Sequence, residues 1–129
     1  QAAAAAIGLV DRDAALTAQL LEPLLDDPSH DVRVAMLPAL AAAYAKINEP
    51  DKLAGILRDS ETNAMRRIVV GAAFITLSHT DAGKAATEAA LGKLVKDDQP
   101  PLARHMAKLV GGLIGSKADG MTFLQELIP

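Results

Sequence analysis

Leu20 to Ile47 reads LLEPLLDDPSHDVRVAMLPALAAAYAKI, and its local signals agree on a helix–turn–helix unit. Leu20, Leu21, Leu24 and Leu25 recur at one-, three- and four-residue spacings and share one helical face. Pro23 lies inside that helix and predicts a bend, because it removes a backbone donor and crowds the preceding turn. Asp26, Asp27, Pro28 and Ser29 make a turn. Asp31 opens a second helix with a negative side chain at the positive end of the helix. Val32, Ala35, Met36, Ala39, Leu40 and Ala43 then run as an apolar stripe along it.

Other parts of the chain read as partial copies of this unit. Pro50 begins a short first helix over 50–58, and Asp59, Ser60, Glu61, Thr62 and Asn63 form its turn. A second helix over 64–78 carries Met65, Ile68, Val69, Ala72, Ala73 and Thr76 on one face. A polar loop over 78–83 leads to a first helix over 84–96. Asp97, Asp98, Gln99, Pro100 and Pro101 turn the chain into a second helix over 102–114. An Ala-rich helix over 1–11 and a short helix over 119–128 flank the three units. Aligning Arg33 with Arg66 and Arg104 gives spacings of 33 and 38 residues. A helical period of roughly 30–40 residues marks a stacked α-solenoid. The expectation is one all-α domain over 1–129 with repeats at 14–47, 50–78 and 82–115.

The string LLEPLLDDPSHDVRVAMLPAL resembles a HEAT repeat. It has a leucine-rich first helix with an internal proline (Leu20, Leu21, Pro23, Leu24, Leu25). Asp27 and Pro28 follow, then Val32 and Arg33, then Ala35, Ala39 and Leu40. The short spacing is closer to the compact bacterial HEAT-like repeats. The resemblance implies a right-handed α-solenoid of about three antiparallel helix pairs. It also implies a structural ladder in which acidic turn residues and arginines bond neighbouring units: Asp27 with Arg33, Asp59 with Arg66, and Asp98 with Arg104. A planar guanidinium suits that role, since it can bridge a carboxylate and a turn carbonyl together.

Composition bounds the function. The chain has 129 residues, 50% hydrophobic but only 2% aromatic, and a net charge of −3. Its apolar content is largely Ala and Leu, which favours helices. A mildly acidic surface is poorly suited to neutralising phosphates, so nucleic acid is not an expected partner. No apolar run approaches the roughly 20 residues of a membrane span. There is no cysteine, hence no disulfide framework. A chain beginning at Gln1 is expected to be a processed form or an excised fragment. A cytoplasmic location is the expectation, with a removed signal peptide as the alternative.

Motifs for catalysis fall short. Ser78, His79 and Asp81 are near neighbours in one loop, whereas a triad needs groups that converge from separate places. His30, His79 and His105 lack the four-residue spacing of helical zinc ligands. His–Glu pairs, which mark the metal-binding HEAT-type hydroxylases, are missing, and no metal or other cofactor is expected. Gly111 to Lys117 has the wrong order for a phosphate loop.

What remains is the outward face of the second helices, which the resemblance places on a concave side. With the core stripes assigned, Val34, Leu37 and Tyr44 are left over on the first, Arg67, Val70 and Phe74 on the second, and His105 and Lys108 on the third. Exposed apolar and aromatic neighbours of this kind mark a contact. The expected function is a protein–protein interaction scaffold, or a piece of a larger HEAT-like protein, with these eight residues binding a protein partner or a second copy. The alternative is an enzyme or accessory subunit of the HEAT-like lyase type, since some HEAT-like relatives are bilin lyases. The related alkylpurine glycosylases want a basic, aromatic-lined groove that this chain lacks.

Overall fold

The turn at Asp27 sets the first helix pair. The Asp27 carboxylate accepts from the Ser29 N–H at 2.8 Å. The Ser29 hydroxyl in turn accepts from the Val32 N–H at 3.4 Å and caps the next helix. The second unit repeats the device: Asp59 accepts from the Glu61 N–H at 2.9 Å, and Asn63 accepts from the Arg66 N–H at 2.8 Å. Such caps satisfy N–H groups that a helix start otherwise leaves unpaired. The structure is a computed structural model that describes residues 14–59, 61–116 and 119–129. The flanking helix expected over 1–11 lies outside the described residues.

Within those residues every regular element is helical and there is no strand. The α-helices are α1 (Ala14–Leu21), α2 (His30–Ile47), α3 (Pro50–Arg58), α4 (Ala64–Leu77), α5 (Asp81–Leu94), α6 (Pro101–Ser116) and α7 (Gly120–Glu126). A 3-10 segment, Glu22–Asp26, follows α1. The expected bend at Pro23 takes this form. A proline disfavours α geometry in the residue before it and cannot donate to the preceding turn. The tighter winding rotates the leucines out of a single phase. Leu21 and Leu25 are buried and Leu24 is half-buried, while Leu20 faces solvent.

α1 packs with α2, α3 with α4, and α5 with α6. The second helices also touch one another, α2 against α4 and α4 against α6, and α3 lies against α5. α4 is therefore central. Every residue from Ile68 to Ile75 is buried. A helix that is apolar all round belongs inside a fold. Burying each large side chain there stabilises by about 1.5–3 kcal/mol before chain entropy is subtracted. Gly71 lets its neighbour come close: a Cβ at that position would lie 3.2 Å from Val110 and 3.3 Å from the Met106 sulfur, both on α6.

The last helix does not continue the series of pairs. α7 lies against α4 and also touches α6 and α2, crossing the face of the second helices. Its first residue is beside Leu113 and Ile75, and the main-chain oxygen of Pro129 reaches Arg33 at the start of α2.

Candidate functional site

The burial pattern overturns half of the expected partner-binding set. Leu37, Val70 and Phe74 are 0% exposed and Tyr44 is 3% exposed. They cannot line an open groove. The expected stripes assumed that each second helix has one buried face, but α2 and α4 are covered on several sides. Val34 and Arg67 are half-buried, and Val34 packs against the core. His105 and Lys108 on α6 are exposed. A signal for this was present: Ile68 to Ile75 is an unbroken apolar run with no polar phase, which fits no surface helix.

α7 supplies much of the missing cover. Gly120, Leu124 and Ile128 are buried at four-residue steps, and Met121 and Gln125 are half-buried beside them. Leu124 sits over Gly71, where an added Cβ would come within 3.7 Å of its Cδ1. Gly120 fits against Ile75 so tightly that a Cβ there would come 2.6 Å from the Ile75 Cδ1. Asp119 caps the helix: its carboxylate accepts from the Thr122 N–H at 3.1 Å and from the Thr122 hydroxyl. The side-chain bond, then the backbone bond, lowers the Asp119 pKa, so the cap holds above the ordinary carboxylate range and is lost on acidification. The opposite side of α7 leaves Phe123 38% and Leu127 41% exposed.

Arg33 fastens the far end of this strap. It donates from Nε to the Pro129 oxygen at 3.0 Å and again from Nη2, while Nη1 donates to the Asp27 carbonyl. The His30 Nδ1 lies 3.3 Å from the same Pro129 oxygen. The Asp27–Arg33 contact thus exists, but through the turn carbonyl, because the Asp27 carboxylate is used for Ser29.

The position of the arginine after each turn differs from expectation in the second unit. Arg33, Arg67 and Arg104 each sit four residues after the helix-capping position, donating their N–H to the carbonyl oxygens of Ser29, Asn63 and Pro100 at 3.2, 3.1 and 3.0 Å. The equivalent of Arg33 is therefore Arg67, not Arg66, and its Nη2 lies 3.4 Å from the Asp59 carbonyl oxygen. In the third unit Arg104 pairs with Asp97 at 3.7 Å, whereas Asp98 accepts from Gln99 at 3.2 Å. Consecutive arginines and consecutive aspartates made both registers readable, and the cap position decides between them. The Nε–H groups of Arg67 and Arg104 are buried without an acceptor, where that of Arg33 holds Pro129.

Arg66 instead joins a polar cluster with Glu22 and Tyr44. The Tyr44 hydroxyl donates to Glu22 at 2.8 Å, and Arg66 lies 3.8 Å from the other Glu22 oxygen. The cluster ties the 3-10 segment to α2 and α4. Burial first, then the hydrogen bond and charge of Glu22, push the Tyr44 pKa up to about 12, with Arg66 opposing. A raised folded-state pKa means stability that is present below the unfolded value near 10 and lost as pH climbs toward 12. Tyr44 is the single tyrosine, so tyrosinate absorbance reports it alone. A base titration is expected to show ionisation near pH 12, with a loss on the order of 2 kcal/mol between pH 10 and 12. Ionisation at the ordinary value in a chain that is still folded would contradict the cluster.

One cleft of about 290 Å³ opens where α4, α5, α6 and α7 meet. Ile75, Leu113 and Ile114 form its apolar side, and Ser78, His79 and Lys84 edge it. Lys84 also lies 4.0 Å from Glu88. Among the described residues no group of three His, Cys, Asp or Glu could hold a metal ion, and no helix is long and apolar enough to cross a membrane. A scan against protein-family models, a search of curated proteins and a search of solved structures each found no match.

Proposed function

We propose that this chain is a HEAT-like α-solenoid of three helix pairs, and that it works as a protein-interaction module through the face of its second helices. Three things support the solenoid reading: helix pairs joined by Asp-led turns in the first two units, second helices packed side by side, and an arginine at one fixed place in each pair. The observation that carries the function is α7. A helical segment already lies on the face of α2, α4 and α6, seated by Gly120, Leu124 and Ile128. A surface that receives one amphipathic helix has the shape and apolarity to receive another. The net charge of −3 favours a protein over nucleic acid as the partner. The exposed His105 and Lys108 on α6 belong to the surroundings of this face.

The test is selection from a helical-peptide library against the intact chain, followed by hydrogen exchange with the selected peptides bound. Added protection in α2, α4 and α6 is the expected result. Protection confined to the first helices, α1, α3 and α5, would place the working surface on the other side.

A further inference from the structure

We propose that α7 is an exchangeable occupant, and that its seat takes instead a partner helix carrying a small residue and, four residues on, a leucine, with an isoleucine just past the helix end. The proposal rests on the reading of this face as the working surface and specifies what it recognises. The recognition chemistry comes from the segment that lies there. Gly120 occupies the first position, where a Cβ would come 2.6 Å from the Ile75 Cδ1 and that side chain would have to shift. Leu124 fills the notch over Gly71, and Ile128, two residues past the end of α7, is also buried. A helix presents residues four apart, as Gly120 and Leu124 are, on one face.

The far end of the seat holds main chain that lies beyond the helix. Arg33 donates twice to the Pro129 oxygen, and His30 stands beside it. Pro129 is three residues past the end of α7, and a main-chain oxygen accepts such bonds whatever the side chains are. Arg33 therefore suits the main chain that leaves a helix seated along this face.

Two features mark α7 as replaceable. It is seven residues long, far below the length at which a helix holds its own shape in water. It is also covered on one side only, since Phe123 and Leu127 remain in solvent. A longer partner helix with the same buried pattern keeps the contacts and needs less ordering on binding.

The experiment uses the full chain and a fluorescent peptide of residues 119–129, DGMTFLQELIP. Anisotropy titrations compare wild type with Leu124→Ala, which weakens the strap and leaves the seat intact. Wild type is expected to bind weakly, because its own strap competes at high effective concentration. Leu124→Ala is expected to bind at least about tenfold more tightly. A peptide with serine at both Leu124 and Ile128 is expected to bind neither protein. Equal binding by wild type and a Leu124→Ala chain of unchanged helicity would overturn the exchange. Ile128→Ala, near the end of the strap, is the second variant. Loss of helicity in both variants would make α7 an integral part of the core and overturn the proposal as well. Library-selected helices that still protect α2, α4 and α6 would then show that the face binds without exchange. No protection at that face would remove both readings.

Discussion

Replacing Phe74 with glutamate is expected to abolish folding. Phe74 is the largest side chain with no exposure, and it lies on the central helix α4. Removing a buried phenylalanine side chain costs about 3–5 kcal/mol through lost burial and the cavity left behind. A carboxylate in that place adds several more, because it would be buried, unsolvated, within the hydrophobic cluster. The sum reaches the whole stability of an ordinary domain, about 5–15 kcal/mol. Far-ultraviolet circular dichroism should show the helical signal gone, while His105→Glu, on an exposed position of α6, keeps it. A folded Phe74→Glu chain would mean that the side chain is on the surface after all. The sequence alone suggested that position, leaving Phe74 on the outward face of its helix as a contact residue.

The second large effect is expected from the smallest substitution. Gly83→Ala should destabilise the protein by about 2 kcal/mol although it improves helix propensity. Gly83 lies in the first turn of α5, where its N–H donates to the Thr80 hydroxyl at 3.1 Å. A Cβ at Gly83 would overlap the Leu77 carbonyl oxygen and press on the Thr80 hydroxyl at 2.8 Å. Leu77 and Thr80 belong to the tight connection from α4 to α5, so the clash falls on backbone that cannot step aside as a flexible side chain can. Alanine gains up to about 1 kcal/mol of propensity. It loses about 1 kcal/mol with the cap and about 1–3 kcal/mol to overpacking. Gly92→Ala on the same helix is the matched control, since nothing lies within 4 Å of its added Cβ, and it should stabilise. Thermal melts that shift in opposite directions would confirm the assignment. Equal shifts would contradict it.

Local chemistry made the elements readable. Pro23, Asp27, Pro28, Ser29, Pro50, Asn63 and Thr80 act within a few residues of themselves. Capping and proline geometry depend on neighbours along the chain, so the positions of the helices followed from the sequence with small shifts at their ends. The loop expected over 78–83 was such a shift, because Thr80 caps α5 and the helix begins at Asp81. The arginine four residues after each helix cap was legible to within one residue. Arg66 and Arg67 are adjacent, and only the distance from the capping residue, Asn63, separates their roles.

The candidate site was decided by contacts distant in sequence. A helix stripe says which residues avoid water on one side, but not how many neighbours the helix will have. α4 gained cover on every side, so Val70 and Phe74 went from leftover positions to core. Tyr44 was claimed by Glu22 and Arg66, which come from two other elements. The strap was the least visible part. Met121 to Ile128 read as a short closing helix, and no pattern in it announces that it turns back across α6 and α4 to Arg33. The sequence by itself determined the helical class of the described residues, the approximate ends of their helices and, to within one residue, the arginine that follows each turn, because those rest on forces between near neighbours. Which face of the second helices is open, and what lies on it, was decided only by tertiary packing, where one helix of seven residues chooses its seat by fit.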